Sequence, residues 1–158
     1  MEGLAIQDHY ADEFAHCYGC GKLNDDGLHI KSYMDGDEAV CHFVPGHQYC
    51  GGAQGMLYGG MIASLMDCHG AATAWAVKAK TQELPLARFV TASLKVDFLA
   101  PTPTNVEIEI RGKVSENKGR KVVVDLTLSA GGRLCAEGYA VMVQIPQDKQ
   151  KGLARVPR

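Results

Sequence analysis

The sequence has no surplus of charge of either sign: its 158 residues carry 16 Lys and Arg against 18 Asp and Glu, a net of -2, with a pI near 6.3. With no basic field to attract phosphate backbones or anionic lipid, dedicated nucleic-acid binding is disfavoured. No leader is expected either. The opening MEGLAIQDHYADEF is acidic, with no basic stretch ahead of an apolar core and no Arg-rich run, so neither a secretory signal nor a transit peptide is read there. The chain is therefore expected to start at Met1 and to work in the cytoplasm. Its six cysteines, Cys17, Cys20, Cys41, Cys50, Cys68 and Cys135, lack the spacing of a disulfide framework. A single domain of this length buries roughly 70% of the surface its unfolded chain exposes and needs no covalent staple, so reduced thiols are expected.

What is present is the composition of a folded soluble domain, 46% apolar and 22% charged, with glycine in excess at 18. Residues 2–15 have the pattern of one short amphipathic helix, and Cys17 to Gly27 (CYGCGKLNDDG) is turn chemistry rich in Gly, Asn and Asp. The alternation from Leu28 to Met34 and the run from Ala39 to Val44, split by Asp35-Gly36-Asp37, predict a hairpin. Pro45 to Leu57 is irregular. From Gly59 to Ala79 the chain reads GGMIASLMDCHGAATAWAVKA, free of proline and apolar nearly all round, which predicts one buried helix of about 30 Å. Asp67 and His69 near its middle, and the predominance of alanine, argue against a membrane span.

Beyond the Lys80 to Pro85 connection the period changes to two. Strands are expected over Thr91–Phe98, Val106–Val114, Lys121–Leu128 and Leu134–Ile145, with short turns between them. The tail from Gln147 is polar and basic. The expected organisation is an N-terminal helix and Cys/Gly-rich loop over 1–27, one α+β domain over 28–146, and a frayed tail over 147–158. The domain itself reads as a six-stranded antiparallel sheet wrapped around one long central helix. One sheet does not cover a helix that is apolar on every side, so a dimer is expected.

Asp67 is the most informative residue. A carboxylate inside a helix of Met, Ile, Leu and Ala is expected to be buried at a cost of several kcal/mol unless paired, a cost retained more often for function than for architecture. Directly before the helix stand Tyr58, Gly59 and Gly60. Two glycines let a ligand approach the backbone and leave N–H groups free at the positive end of the helix dipole, where a developing oxyanion could be held.

The stretch LYGGMIASLMDCHGAATAW resembles the HGG-x6-D signature of hotdog-fold acyl-CoA thioesterases of the phenylacetyl-CoA and thioesterase-superfamily-member type. The opening CYGCGKLNDDGLHI is similar to the CFGCG-x-N-x-x-GL motif of many of these proteins, and TASLKVDFLAPTP and GRKVVV follow in the same order. The likeness spans about residues 17–146. It implies a thioester hydrolase acting on an acyl-CoA, needing no cofactor and no metal, with active sites at the interface of a homodimer that can pair into a tetramer. Asp67 takes the place of the catalytic carboxylate, as general base on water or as nucleophile. Gly59 and Gly60 match the glycines whose N–H groups polarise the thioester carbonyl, and Thr91 matches a threonine that positions the attacking water. Tyr58 stands where the family most often has His; its hydroxyl can donate a hydrogen bond but cannot exchange protons near pH 7 as imidazole does. Arg120 and Lys121 match basic residues that contact the coenzyme A phosphates, and Ser64 joins them in the substrate-binding set. A non-catalytic acyl-CoA binder or sensor on the same fold is the alternative.

Cys17-x-x-Cys20 has the spacing of half a zinc site, but no second Cys-x-x-Cys or Cys-x-x-His completes it, so no metal is expected. Cys68 has no identifiable base and is not read as a nucleophile. His69, about 200° around the helix from Asp67, is expected to be structural or dimer-facing.

Overall fold

A computed structural model describes residues 3–82, 88–146 and Lys149. Its centre is helix α1, Gly59–Ala79, with the bounds the sequence predicts. The chain enters it from an extended Tyr58. Met61, Ile62, Leu65, Met66, Ala72, Trp75 and Ala76 are all buried along it.

Six strands wrap the helix: β1 (Ser32–Asp35), β2 (Glu38–Phe43), β3 (Phe89–Phe98), β4 (Ile108–Lys118), β5 (Lys121–Ala130) and β6 (Arg133–Gln144). They form one sheet in the order β1-β2-β4-β5-β6-β3, antiparallel throughout. Val122, Val124, Leu126 and Leu128, alternate residues of β5, are buried, as are Ile108 and Ile110 of β4 and Ala140 and Met142 of β6. Each large side chain so placed contributes about 1.5–3 kcal/mol. The outer face of the sheet is charged, with Arg111 bonded to Asp35, Glu38 and Glu109. No helix among the described residues is long and apolar enough to cross a membrane.

Three expectations need correction. In place of one helix over residues 2–15 there are two short 3-10 turns, Ile6–His9 and Asp12–Phe14, separated by extended Tyr10 and Ala11. An isolated short helix is marginal, and here long-range anchors win. Gln7 exchanges hydrogen bonds with Ser32, while His9 stacks on Trp75 of the helix and Tyr10 meets the same ring edge-on. Second, β1 starts at Ser32 and not at Leu28, because His29 is in the left-handed region at φ 53°. Leu28 and Ile30 instead donate their N–H groups to the carbonyls of Tyr18 and Gly19, lacing this segment to the cysteine loop. Third, β4 runs on to Lys118, so the turn into β5 shrinks to Gly119-Arg120. Gly119 has φ 56°, a conformation an L side chain resists in a two-residue hairpin loop. The expected frayed tail over 147–158 lies outside the described residues except for Lys149, as do residues 83–87 of the connection after the helix.

Candidate active site

The helix is covered unevenly. Gly60, Ser64 and Asp67, spaced i, i+4 and i+7, share one face, and all three stay wholly or partly exposed in the single chain. Asp67 is therefore not the deeply buried carboxylate expected, because β3 is the edge strand on this side and, among the described residues, no element beyond it covers the helix. Where β3 passes the helix, the Thr91 hydroxyl donates to the Asp67 carboxylate. A hydroxyl that gives its proton to a carboxylate still has lone pairs for a water, so the two side chains can hold one water between them.

One to two turns toward the helix start, Gly59 and Gly60 have N–H groups with no hydrogen-bond partner among the described residues, as the first residues of any helix do. Both positions are crowded. A Cβ on Gly59 would stand 3.2 Å from the Phe98 ring, and one on Gly60 only 2.3 Å from the ring of Tyr58, which folds over it. An open cleft of about 390 Å³ lies beside Gly59, lined by Leu57, Ile62, Phe98, Leu99 and Pro101 together with Thr102. Ser64 donates its hydroxyl to the Gly60 carbonyl at 2.8 Å.

Arg120 and Lys121 lie apart from these groups, at the β4–β5 turn. Lys78, in the last turn of the helix, donates to the Gly119 carbonyl at 2.7 Å, which places this turn at the opposite end of α1 from Gly59. The register brings it nearer to Thr91: Thr91 pairs with Met142 and Met142 with Val122, two strand spacings or about 10 Å. Arg120 reaches the Gln144 carbonyl at 3.4 Å and Lys121 the Glu116 carboxylate at 3.3 Å. Both stay exposed.

His69 faces the other way, as its position around the helix predicts. Fully buried, its Nδ1 is 2.8 Å from the Ser32 hydroxyl and its Nε2 3.1 Å from the Ala39 carbonyl. Burial pulls its pKa down to about 4, against the raising influence of the Ala39 carbonyl.

Sequence reasoning missed what joins the cysteine loop to the helix. Cys68 completes a cluster with Cys17 and Cys20, the three sulfurs lying within 4.8 Å of one another and the Cys17 and Cys68 sulfurs 3.6 Å apart. Hydrogen bonds from Cys20 and Cys68 pull the Cys17 thiol far below its ordinary range. The same bonds to Cys17 push Cys20 up to about 11 and Cys68 higher still. The available signal was Gly19 inside the C-x-x-C turn: a Cβ there would stand 2.4 Å from the Cys68 sulfur.

Comparison with known proteins agrees with the fold. A family model described as "Thioesterase superfamily" matches residues 54–136. A thioesterase superfamily protein of Shewanella loihica PV-4, solved by crystallography, is 42% identical over 87% of this chain and all of its own, with a TM-score of 0.67. A hypothetical thioesterase of Streptococcus pneumoniae TIGR4, crystallised with coenzyme A, is 15% identical, covering 75% of this chain and 90% of its own at a TM-score of 0.63; that likeness is one of fold. An uncharacterised mitochondrial protein of Candida albicans (strain WO-1) is 31% identical over 97 residues, 57% of this chain, and the matched part spans 41% of that relative's length. With a single antiparallel sheet wrapped around the helix that the family model covers, the chain has the hotdog fold and belongs to the thioesterase superfamily.

Proposed function

We propose that the protein is an acyl-CoA thioesterase, hydrolysing an acyl-CoA thioester to the free acid and coenzyme A by attack of a water that Asp67 deprotonates. The observation that carries the reading is the Thr91 to Asp67 hydrogen bond on the exposed face of the helix, in line with the free N–H groups of Gly60 and Gly59. In this reading Thr91 orients the water, Asp67 accepts its proton, and the two glycines hold the developing oxyanion. Tyr58, folded over Gly60, offers its hydroxyl to the carbonyl region, and Ser64 borders the acyl chain. The cleft beside the apolar side chains of Ile62, Phe98 and Leu99 takes the chain itself. Arg120 and Lys121 meet the coenzyme phosphates at the far end of an extended pantetheine arm, and the coenzyme bound to the Streptococcus pneumoniae protein supports that class of substrate. The working unit in this reading is a homodimer closed along β3, the edge at which the site lies open. Free thiols throughout accord with a cytoplasmic location.

The test is release of free thiol from a panel of acyl-CoA thioesters. Asp67→Asn, nearly isosteric but unable to take the proton, is expected to lower kcat by ~10² or more with the fold intact by circular dichroism. Thr91→Ala is expected to cost on the order of tenfold. Wild-type turnover in Asp67→Asn removes Asp67 from the chemistry. Binding of acyl-CoA without thiol release by the wild type would mark the protein as a binder or sensor.

A further inference from the structure

Three thiols converge beside the candidate catalytic carboxylate without serving it. Cys17 and Cys20 come from the loop, and Cys68 comes from α1, one residue after Asp67 and about 100° further around the helix. Their sulfurs lie within 4.8 Å of one another, with Cys17 and Cys68 at 3.6 Å. A tetrahedral zinc site with Zn–S bonds of about 2.3 Å sets its sulfurs about 3.8 Å apart, so only small side-chain movement separates this cluster from a ligand set. The loop is built for the approach. Gly21 donates to the Cys17 carbonyl at 2.7 Å, closing the turn so that both sulfurs point one way, and Gly19 leaves room for the Cys68 sulfur. The hydrogen bonds from Leu28 and Ile30 fix the loop from its other side.

The surroundings fit a thiolate cluster with a cation in it. The Tyr10 hydroxyl, on a ring only 6% exposed, has no hydrogen-bond partner among the described residues. The Arg88 guanidinium lies 4.1 Å from the Tyr10 ring centroid. Burial disfavours its charge, which Tyr10, Cys20 and Cys17 beside it support. Three thiolates around a divalent cation leave one negative charge, and Arg88 is placed to balance it. A buried charge unbalanced in this way would cost several kcal/mol. No carboxylate or histidine joins the group among the described residues, so hard cations that require oxygen ligands are not served.

We propose that Cys17, Cys20 and Cys68 form a three-thiolate site for a thiophilic d10 cation, Zn²⁺, which clamps the N-terminal loop to the helix that carries Asp67. As each Sγ–Zn bond forms, the corresponding S–H proton passes to solvent; no electron is transferred. The fourth position is taken by a water. The site is distinct from the hydrolytic one, and its existence does not depend on which thioester is cleaved.

The probe is Co²⁺ added to the reduced, chelator-treated full-length protein, followed by Zn²⁺. About one Co²⁺ per chain is expected to bind with sulfur-to-cobalt charge transfer in the near ultraviolet and the d–d bands of a tetrahedral site, both erased by Zn²⁺. Cys17→Ser, Cys20→Ser and Cys68→Ser are each expected to lose the charge-transfer band, while Cys41→Ser and Cys135→Ser keep it. Peptide mapping after alkylation gives a readout in the wild type that does not depend on a variant folding. Zn²⁺ is expected to slow labelling of Cys17 at least ~tenfold and to leave Cys50 unchanged. Absence of the charge-transfer band, persistence of that band in all three serine variants, equal labelling of Cys17 with and without Zn²⁺, or isolation of the chain with a Cys17–Cys68 disulfide that excludes metal would each overturn the proposal.

Discussion

His69 is held between the Ser32 hydroxyl and the Ala39 carbonyl with no exposure to solvent, and that place accepts only a neutral ring. Its pKa is about 4 in the folded chain against 6.5 for an ordinary histidine. Above pH 6.5 the ring is neutral whether the chain is folded or not, and its contacts contribute fully. As the pH falls from 6.5 to 4 the unfolded chain takes up a proton that the folded one refuses, so stability drops, by roughly 3 kcal/mol in all, and levels off below. Urea unfolding across that range should show this acid limb. His69→Asn should flatten it whatever it does to stability at neutral pH, and an unchanged limb in the variant would assign the loss to other groups.

The β4–β5 turn separates recognition from chemistry, since Arg120 and Lys121 stand two strands away from Thr91 and touch neither it nor Asp67. Attraction of coenzyme phosphates there is shared by ground and transition states. Replacing both residues with Ala should raise KM and leave kcat nearly unchanged, with the loss shrinking as salt rises because exposed charges are screened beyond about 8 Å at physiological ionic strength. A truncated thioester without the nucleotide should be indifferent, and equal effects on both substrates would return the turn to a structural role. Elements of this kind were legible in the sequence to different degrees. The helix could be read to its ends because twenty-one residues carry one unbroken apolar pattern between Tyr58 and Lys80. The strands after it followed from their alternation, Asp67 stood out as a carboxylate inside an apolar helix, and Thr91 was picked out by the family resemblance. The start of β1 was not legible, since the alternation from Leu28 holds in burial while the backbone at His29 turns left-handed to meet the cysteine loop. The N-terminal turns and the meeting of Cys68 with Cys17 were hidden for the same reason: both depend on contacts between residues 25 to 66 positions apart, which no local pattern encodes.

For the whole molecule, the open side of the sheet predicts association. Val90 and Phe98 of β3 and Leu99 just after it are 47%, 58% and 50% exposed, along an edge with no partner strand among the described residues. Such an edge invites pairing with a second copy. Light scattering at micromolar concentration should give a mass of at least twice 17.0 kDa, and Val90→Lys, which places a charge on that edge, should shift it toward the monomer. A wild-type monomer would remove the dimer from the account.

The strand order also fixes when the site comes into being during synthesis. Among the described residues β3 pairs with β6 alone, and Thr91 is seated against Met142. Every residue assigned to the hydrolytic site, from Tyr58 to Lys121, therefore leaves the ribosome before the strand that holds Thr91 in place. A nascent chain that has not yet reached Arg133 has Asp67 on its helix and the glycines before it, but no sheet edge on which β3 can rest. Assembly of the site waits for the final strand, and a transcript cut short of Gln144 encodes the parts without the frame that brings them together.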